Sequence, residues 1–236
     1  MTQRRRFLFT AAAIVATIPW RTSLAAATNK RMRIGVIGSG RIGGTLGTLW
    51  AKAGHEVMFS DRDTEQAKRA AQAAGSNARA GSPKEAAAFG DAVLIAVPYS
   101  ALPTLAKELS AELKGKVLID PNNPIPRRDG DMAVGPREKG AAVSTAAMFP
   151  GVSTFRAFNA IGYATLQSEA HRAPPKLAVP VAADDPGALK LGMQLVEDAG
   201  FEPVHVGTLA QSRIFDLGEP AGGARTAQEL RKILAQ

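Results

Sequence analysis

Short apolar segments rich in β-branched residues alternate with alanine-rich polar segments from Arg33 onward. The apolar segments predict strands at 34–37, 56–60, 92–97 and 117–119, and the segments between them predict helices at 42–53, 64–74 and 104–113, with another helix beginning at Ser82. The run at 92–97 is apolar throughout, which is typical of a strand that is buried on both faces. This alternation predicts βαβ units around a parallel sheet.

The second half of the chain continues the pattern after an interruption. Residues 121–140 are rich in proline, glycine and charge, and they predict a long loop. A further strand is predicted at 154–158, followed by strand, helix and strand at 177–182, 186–199 and 203–206. We therefore expect a doubly wound parallel (Rossmann) α/β domain over 31–158 and a small C-terminal α/β cap over 159–236.

The first 27 residues have the three parts of a signal peptide. A basic start with Arg4 and Arg5 is followed by an apolar run of 14 residues, 7–20, and by the cleavage-site pattern Ala25-Ala26-Ala27. A helix needs roughly 20 apolar residues to cross a bilayer, so a removable signal is expected. The arginine pair before x-Phe-Leu resembles a twin-arginine (Tat) signal, with an ordinary Sec signal or an anchor as the alternative. The expectation is a periplasmic protein with no stable membrane insertion after the signal is removed.

Charge and composition exclude several classes of function. The net charge is +8, but four arginines and no acidic residue lie in residues 1–27, which leaves +4 for the mature chain. Without basic clusters interleaved with aromatic residues, nucleic acid is not an expected partner. The absence of cysteine excludes disulfides, thiolate nucleophiles and cysteine-based metal sites. Redox chemistry would therefore come from a bound cofactor, and no metal site is predicted.

A glycine-rich turn follows the first strand and begins a helix. It consists of Gly38, Ser39, Gly40, Arg41, Ile42 and Gly43. In such a turn the first glycine permits the bend, the second lets the backbone approach a pyrophosphate, and the third lets the helix pack closely. An acidic residue at the end of the second strand, Asp61, stands 18 residues after Gly43, near the spacing expected for a group that binds the adenosine ribose. The sequence therefore predicts a dinucleotide site.

The residues after the second strand leave the choice between NAD and NADP open. A carboxylate such as Asp61 accepts hydrogen bonds from the ribose hydroxyls and repels a 2′-phosphate, which favours NAD. The adjacent Arg62 favours NADP, because a guanidinium pairs with that phosphate, and Ser60 would add a hydroxyl contact. The prediction is NADP, with NAD as the alternative; Arg62 as a solvated charge paired with Asp63 is the non-functional interpretation.

Three later motifs carry a resemblance to a known family. Val97-Pro98, Asp120-Pro121-Asn122-Asn123-Pro124 and Arg156-Ala157-Phe158-Asn159 end successive predicted strands. With the glycine turn, they resemble the deazaflavin (coenzyme F-420) dependent NADP oxidoreductases over residues 32–220.

The resemblance implies where the cofactor lies. Residues 38–42 would hold the pyrophosphate, and Asp61 and Arg62 the adenosine end. Val97, Pro98 and Asn123 would lie on the nicotinamide side, with Asn159 near the nicotinamide or the second substrate, or serving only as a loop cap. Tyr99 would contact substrate or pack over the cofactor loop.

Direct hydride transfer needs positioning and exclusion of water rather than an acid or base, so no catalytic residue is assigned. We expect an exported NADP(H)-binding oxidoreductase that moves hydride between nicotinamide and a second redox substrate or cofactor. A non-catalytic NAD(P)-binding sensor or redox-partner module is the alternative, and an S-adenosylmethionine site is a weaker one. A homodimer is expected, because a short C-terminal segment is often completed by a partner chain.

Overall fold

The structure, a computed structural model, describes residues 31–236. The expected signal peptide, with Arg4 and Arg5, lies outside the described residues. Between residues 31 and 236, no helix is both long and apolar enough to cross a membrane.

The described residues form nine strands and ten α-helices. The strands are β1 (Arg33–Ile37), β2 (Glu56–Ser60), β3 (Ala78–Ala80), β4 (Ala92–Ile95), β5 (Val117–Asp120), β6 (Ser153–Arg156), β7 (Leu177–Ala183), β8 (Glu202–Gly207) and β9 (Arg225–Thr226). The helices are α1 (Arg41–Lys52), α2 (Thr64–Ala74), α3 (Pro83–Phe89), α4 (Leu102–Glu108), α5 (Pro126–Asp129), α6 (Val134–Lys139), α7 (Ala141–Met148), α8 (Tyr163–Glu169), α9 (Pro186–Asp198) and α10 (Ala227–Leu234). Short 3₁₀ turns occupy Tyr99–Ala101, Gly130–Ala133 and Gln211–Phe215.

All nine strands belong to one sheet, in the order β3-β2-β1-β4-β5-β6-β7-β8, with β9 on β7. The strands from β3 to β6 are parallel. The strand order reverses at β1, because the chain continues to β2 on one side and β4 lies on the other. In open parallel sheets, ligands bind at the carboxyl edge beside such a reversal. The predicted doubly wound fold is confirmed.

Alternate residues of β4 enter cores on opposite faces of the sheet. Ala92 and Leu94 join the cluster that contains Trp50 and Phe155, packed beneath α1, α2 and α9. Val93 and Ile95 join the cluster beneath α3 and α4. This explains why the run is apolar throughout, since neither face of the strand meets water.

The C-terminal segment extends the same sheet. β7 runs antiparallel to β6 and pairs with it only at Phe155–Ala183 and Arg156–Ala182. Its earlier residues, 177–181, therefore continue beyond the carboxyl end of β6. β8 pairs with β7 in parallel, and a third apolar cluster that includes Phe215 and Leu230 packs on these strands. The segment expected as a small cap is thus built on the main sheet, and residues 31–236 form one compact unit.

Several local predictions differ from the structure. The expected loop at 121–140 contains α5, a 3₁₀ turn and α6, and β3, α8 and α10 lack a strong pattern in the sequence. The strand expected to reach residue 158 ends at Arg156. Phe158 adopts a left-handed φ of 65°, which does not continue a strand. The helix expected to begin at Ser82 is α3, and Ser82 and Glu85 form a reciprocal capping box at its start.

Candidate functional site

The glycine turn after β1 has the geometry that its sequence predicts. Gly38 has φ +90°, and a Cβ there would lie 2.3 Å from the carbonyl oxygen of Ala96. A Cβ on Gly43 would lie 1.9 Å from the carbonyl oxygen of Gly38, so α1 can pack on the turn only without a side chain. Gly40 is the N-cap of α1, and nothing lies within 4 Å of its Cβ position. The turn is closed beneath Gly38 and open at Gly40.

A groove of about 790 Å³ runs past this turn along the carboxyl edge of the sheet. Its lining brings together residues from the ends of β1, β2 and β4 and from α4 and α5. These include the predicted residues Gly38, Gly40, Asp61, Arg62, Val97 and Pro98, and also Ser100, Thr104, Glu108 and Arg128. The groove therefore joins the predicted pyrophosphate and adenosine positions in one continuous space.

Asp61 and Arg62 behave differently at the end of β2. Asp61 is half-buried, and its Oδ2 accepts hydrogen bonds from the backbone N–H of Ser39 at 2.9 Å and from its hydroxyl at 3.3 Å. Arg62 is exposed and has no ion pair or hydrogen bond to any residue between 31 and 236. Asp63, the partner of Arg62 in the non-functional interpretation, instead caps α2 by accepting a hydrogen bond from the backbone N–H of Glu65, and it forms an ion pair with Arg69. Arg62 is thus the free charge at this end of the groove.

Five predicted residues near the turn do not line the groove: Ser39, Arg41, Ile42, Gly43 and Ser60. Ser60 is fully buried and its hydroxyl donates to the Val36 carbonyl at 3.0 Å, so the predicted phosphate contact by Ser60 is not supported. The guanidinium of Arg41 lies over the ring of Tyr163, 5.0 Å from its centre. Ile42 packs against the core beneath α1.

Tyr99 is buried rather than exposed to substrate. Its hydroxyl donates to the carbonyl of Ala141 at 3.2 Å and accepts from Thr145 at 3.4 Å. Burial raises the pKa of Tyr99 to about 12, so the phenol stays protonated at neutral pH. The structure does not support the substrate contact, and it favours the alternative of packing: Tyr99 lies in the core beneath α4, where the 3₁₀ turn that begins with this residue directs the ring inward.

A buried ion cluster lies at the ends of β5 and β6. Arg156 is fully buried, and its Nη1 donates to Asp120 at 3.0 Å and to the carbonyl of Asn122 at 2.9 Å. Its Nη2 donates to Asp216, in the C-terminal segment, and to Asn123. Burial raises the pKa of Asp120, and the neighbouring guanidinium counteracts this effect. The cluster joins β5, β6 and the C-terminal segment.

Asn123 and Asn159 belong to this cluster instead of lining the groove. Asn123 accepts from Arg156 at 3.3 Å and donates through Nδ2 to the carbonyl of Asn159 at 2.8 Å. Asn159 donates through Nδ2 to the carbonyl of Phe215, while its buried Oδ1 has no partner within 31–236. The structure thus places both amides together, with the Nδ2 of each bonded to a backbone carbonyl, so a direct contact of Asn123 with nicotinamide is not supported.

Arg128 is a groove residue that the sequence did not single out. Its Nε donates to both carboxylate oxygens of Asp129, at 3.1 and 3.2 Å, and its Nη2 donates to Asp129 and to the carbonyl of Asn123. Asp129 is itself buried and accepts from the backbone N–H groups of Ile125 and Ser100. Arg128 is therefore held in a fixed position at the groove.

Comparison with known proteins shows where this architecture occurs. The family model described as "NADP oxidoreductase coenzyme F420-dependent" matches residues 33–124. The F420-dependent NADP reductase of Methanothermobacter thermautotrophicus is 32% identical over 199 residues, which cover 78% of this chain and 85% of the relative. The chain belongs to this family of oxidoreductases.

Other relatives agree with the fold of the family. Metalloreductase STEAP3 of Rattus norvegicus is 28% identical over 194 residues, covering 81% of this chain but 37% of that longer protein. The crystal structure of a hypothetical protein from Sinorhizobium meliloti superposes with a TM-score of 0.70 at 23% identity, covering 80% of this chain and 92% of the other. The predicted resemblance to the deazaflavin-dependent family and the Rossmann fold are confirmed.

The sequence did not predict the positions of two residues, Arg128 and Arg156. Arg128 lies in the proline- and glycine-rich stretch that predicts a loop, where no pattern gives the direction of a side chain. Arg156 belongs to a family motif, but only the pairing of β5 with β6 shows that it lies next to Asp120. A charged residue that ends one buried strand beside an acidic residue that ends the next was the available signal. Within residues 31–236, no group of His, Asp or Glu side chains is arranged to hold a metal ion.

Proposed function

We propose that this family member binds NADP(H) in the groove and transfers hydride between the nicotinamide and a second, organic redox substrate. The observation that carries the proposal is the contrast at the end of β2, where Asp61 is bound to Ser39 and Arg62 is free.

The groove fits a dinucleotide at its diphosphate position. Gly40 leaves open space before the N-terminus of α1, a helix of 12 residues whose first N–H groups point out of the helix. Such a terminus favours negative charge through its dipole and its free N–H donors. The closed packing beneath Gly38 fixes the turn, so these donors are held in place before the ligand arrives.

The charges at the adenosine end favour NADP over NAD. A carboxylate that selects NAD must be available to the ribose hydroxyls. Here Oδ2 of Asp61 already accepts two hydrogen bonds from Ser39, and the second oxygen accepts from the backbone N–H of Asp63 at 3.3 Å. The guanidinium of Arg62 has no partner within 31–236, so all of its donors are available to a 2′-phosphate.

When bound, NADPH supplies a hydride from its nicotinamide ring to the acceptor. Within 31–236, no histidine lines the groove, in agreement with a reaction that depends on positioning and on exclusion of water. Val97 and Pro98 form an apolar wall at the end of β4, and β7 extends beyond the carboxyl end of β6 beside the buried cluster. The wall of Val97 and Pro98 would hold the reacting rings and limit access of water.

We propose further that the protein is exported to the periplasm by its Tat-type signal and carries its cofactor with it. The support is the arginine pair at residues 4 and 5 in front of a short apolar segment. Replacing both arginines by lysine is expected to retain the protein in the cytoplasm, as measured by fractionation. Continued export of the doubly substituted protein through the Sec route would contradict the Tat assignment.

Purified protein tests the function directly. Nucleotide released by denaturation is identified by mass spectrometry, and oxidation of NADPH is followed with a deazaflavin, a flavin and a quinone as acceptors. We expect NADP(H) either to be released from the purified protein or to bind when it is added, and we expect NADPH to reduce at least the deazaflavin. Binding without oxidation by any acceptor would favour the non-catalytic sensor instead, and the absence of any nicotinamide nucleotide, with no binding on addition, would refute the proposal.

The variant Arg62→Gln tests the choice of cofactor. A charge-assisted hydrogen bond contributes about 1.5–3 kcal/mol, so NADPH should bind about ten- to a hundredfold more weakly while NADH binding is unchanged. Arg127→Gln is the matched control, because Arg127 is exposed and does not line the groove. Equal losses for NADPH and NADH in Arg62→Gln would contradict a role for Arg62 in binding the 2′-phosphate.

A further inference from the structure

We infer that Arg128 is a second phosphate-binding residue, which holds the diphosphate of the dinucleotide from the wall opposite the glycine turn. This inference rests on the proposed function and extends it to a residue outside the glycine turn and the β2 end. Arg128 lies on α5, after β5, whereas Gly38 and Gly40 lie between β1 and α1, yet all three line one continuous groove.

The guanidinium of Arg128 is oriented before any ligand binds. Its Nε and Nη2 are used by the Asp129 carboxylate and by the carbonyl of Asn123, at 2.8–3.2 Å. Within the described part of the chain, its Nη1 has no partner, and the side chain retains 41% of its exposure. The two N–H bonds of Nη1 are therefore available, and little side-chain entropy remains to be lost on binding.

Asp129 anchors this arrangement to the groove wall. Its carboxylate has no exposure and also accepts from the N–H of Ser100, a groove residue in the 3₁₀ turn before α4. The α5 segment is thereby fixed to the wall that carries Val97 and Pro98. Within 31–236, the groove is lined by two acidic residues, Asp61 and the exposed Glu108 on α4, and by two cations, Arg62 and Arg128.

The ligand for Arg128 is a phosphate group rather than a carboxylate of the second substrate, because the same groove contains the open N-terminus of α1. A helix N-terminus and a guanidinium facing one space form a site for a diphosphate, which carries a charge on each phosphorus and accepts hydrogen bonds from both sides. Arg62, at the other end, remains for the 2′-phosphate. The two arginines then have separable effects on binding.

Calorimetric titration of Arg128→Gln with three ligands tests the assignment. NADPH and NADH contain the diphosphate, and adenosine 2′-monophosphate contains only the phosphate assigned to Arg62. We expect Arg128→Gln to weaken NADPH and NADH by the same factor, about tenfold, and to leave adenosine 2′-monophosphate unchanged. Arg62→Gln should weaken the binding of NADPH and of adenosine 2′-monophosphate and leave NADH unchanged. Arg128→Lys should show an intermediate loss, and Arg127→Gln should bind all three ligands as the wild type does.

The outcomes separate this inference from the proposed function. If the wild-type protein binds neither NADPH nor NADH, the proposed function fails. If the wild type binds both nucleotides and Arg128→Gln binds each of them as tightly as the wild type does, only the assignment of Arg128 fails. Loss of adenosine 2′-monophosphate binding in Arg128→Gln would also overturn it, because that result would show a general disturbance of the groove, and so would a change confined to the KM of the hydride acceptor.

Discussion

Two glycines of the same turn are expected to fail in different ways when each is replaced by alanine. At Gly38, the left-handed φ of +90° costs an L-residue roughly 1–2 kcal/mol. The new Cβ would also lie 2.3 Å from the Ala96 carbonyl oxygen and 2.9 Å from a methyl of Val97, so the turn must shift, at a cost of about 1–3 kcal/mol. Gly38→Ala should therefore lose about 2–5 kcal/mol of unfolding free energy and weaken NADPH binding.

Gly40→Ala should weaken NADPH binding without changing stability. Gly40 has φ −71°, which alanine adopts without strain, and nothing lies within 4 Å of its Cβ position. The loss of a favourable N-cap residue and the gain from a less flexible unfolded chain oppose each other, so the unfolding free energy should change by less than about 0.5 kcal/mol. The added methyl group would occupy the space assigned to the diphosphate.

Urea denaturation and calorimetric titration with NADPH measure the two effects. If Gly40→Ala binds NADPH as tightly as the wild type, the diphosphate lies elsewhere and its assignment to this turn fails. If Gly38→Ala retains wild-type stability, the turn tolerates a side chain and the close packing beneath Gly38 is contradicted.

Three further predictions concern buried polar groups. Tyr99→Phe should lose about 1 kcal/mol in urea denaturation, with turnover unchanged; a loss of turnover at intact stability would return Tyr99 to the site. Arg156→Met should lose about 3–5 kcal/mol, since Asp120 remains buried without its guanidinium, and wild-type stability would contradict the cluster. Burial alone raises the pKa of Asp129, but hydrogen bonds from Arg128 and from backbone N–H groups outweigh it and the pKa is lowered. Its contribution is present above the unfolded pKa of about 3.9 and is lost as pH falls through the folded value, so Asp129→Asn should show a shallower acid destabilisation below about pH 4; equal slopes would contradict this.

The features that depend on residues close together in the chain could be predicted from the sequence. The glycine turn, the β2 end and the alternation of strands and helices each involve residues close together in the chain, and Gly38 and Arg62 lie where predicted. The sequence left the role of Tyr99 open, because the direction of its side chain depends on the carbonyl of Ala141, which is 42 residues away in the sequence. Asn123 differs for the same reason, since its partner Arg156 comes from the next strand.

The C-terminal segment shows another limit of sequence patterns. Strand, helix and strand were predicted near β7, α9 and β8, but their attachment to the sheet depends on the two residue pairs that join β6 to β7. No local pattern specifies an antiparallel pairing so short. The position of Arg128 was unpredictable for a related reason, because the segment that holds it is fixed by the buried carboxylate of Asp129 and not by its own apolar periodicity.

The buried Arg156 cluster has a consequence for the order in which the molecule folds. Arg156 meets Asp216, which follows it by 60 residues, so its guanidinium can lose water only after the C-terminal strands have docked. The pairings among the strands from β1 to β5 and the close contacts of Gly38 lie within residues 33–120. We therefore expect the adenosine half of the groove to form early and the β5–β6 edge to become rigid last, together with the docking of Phe215 and α10.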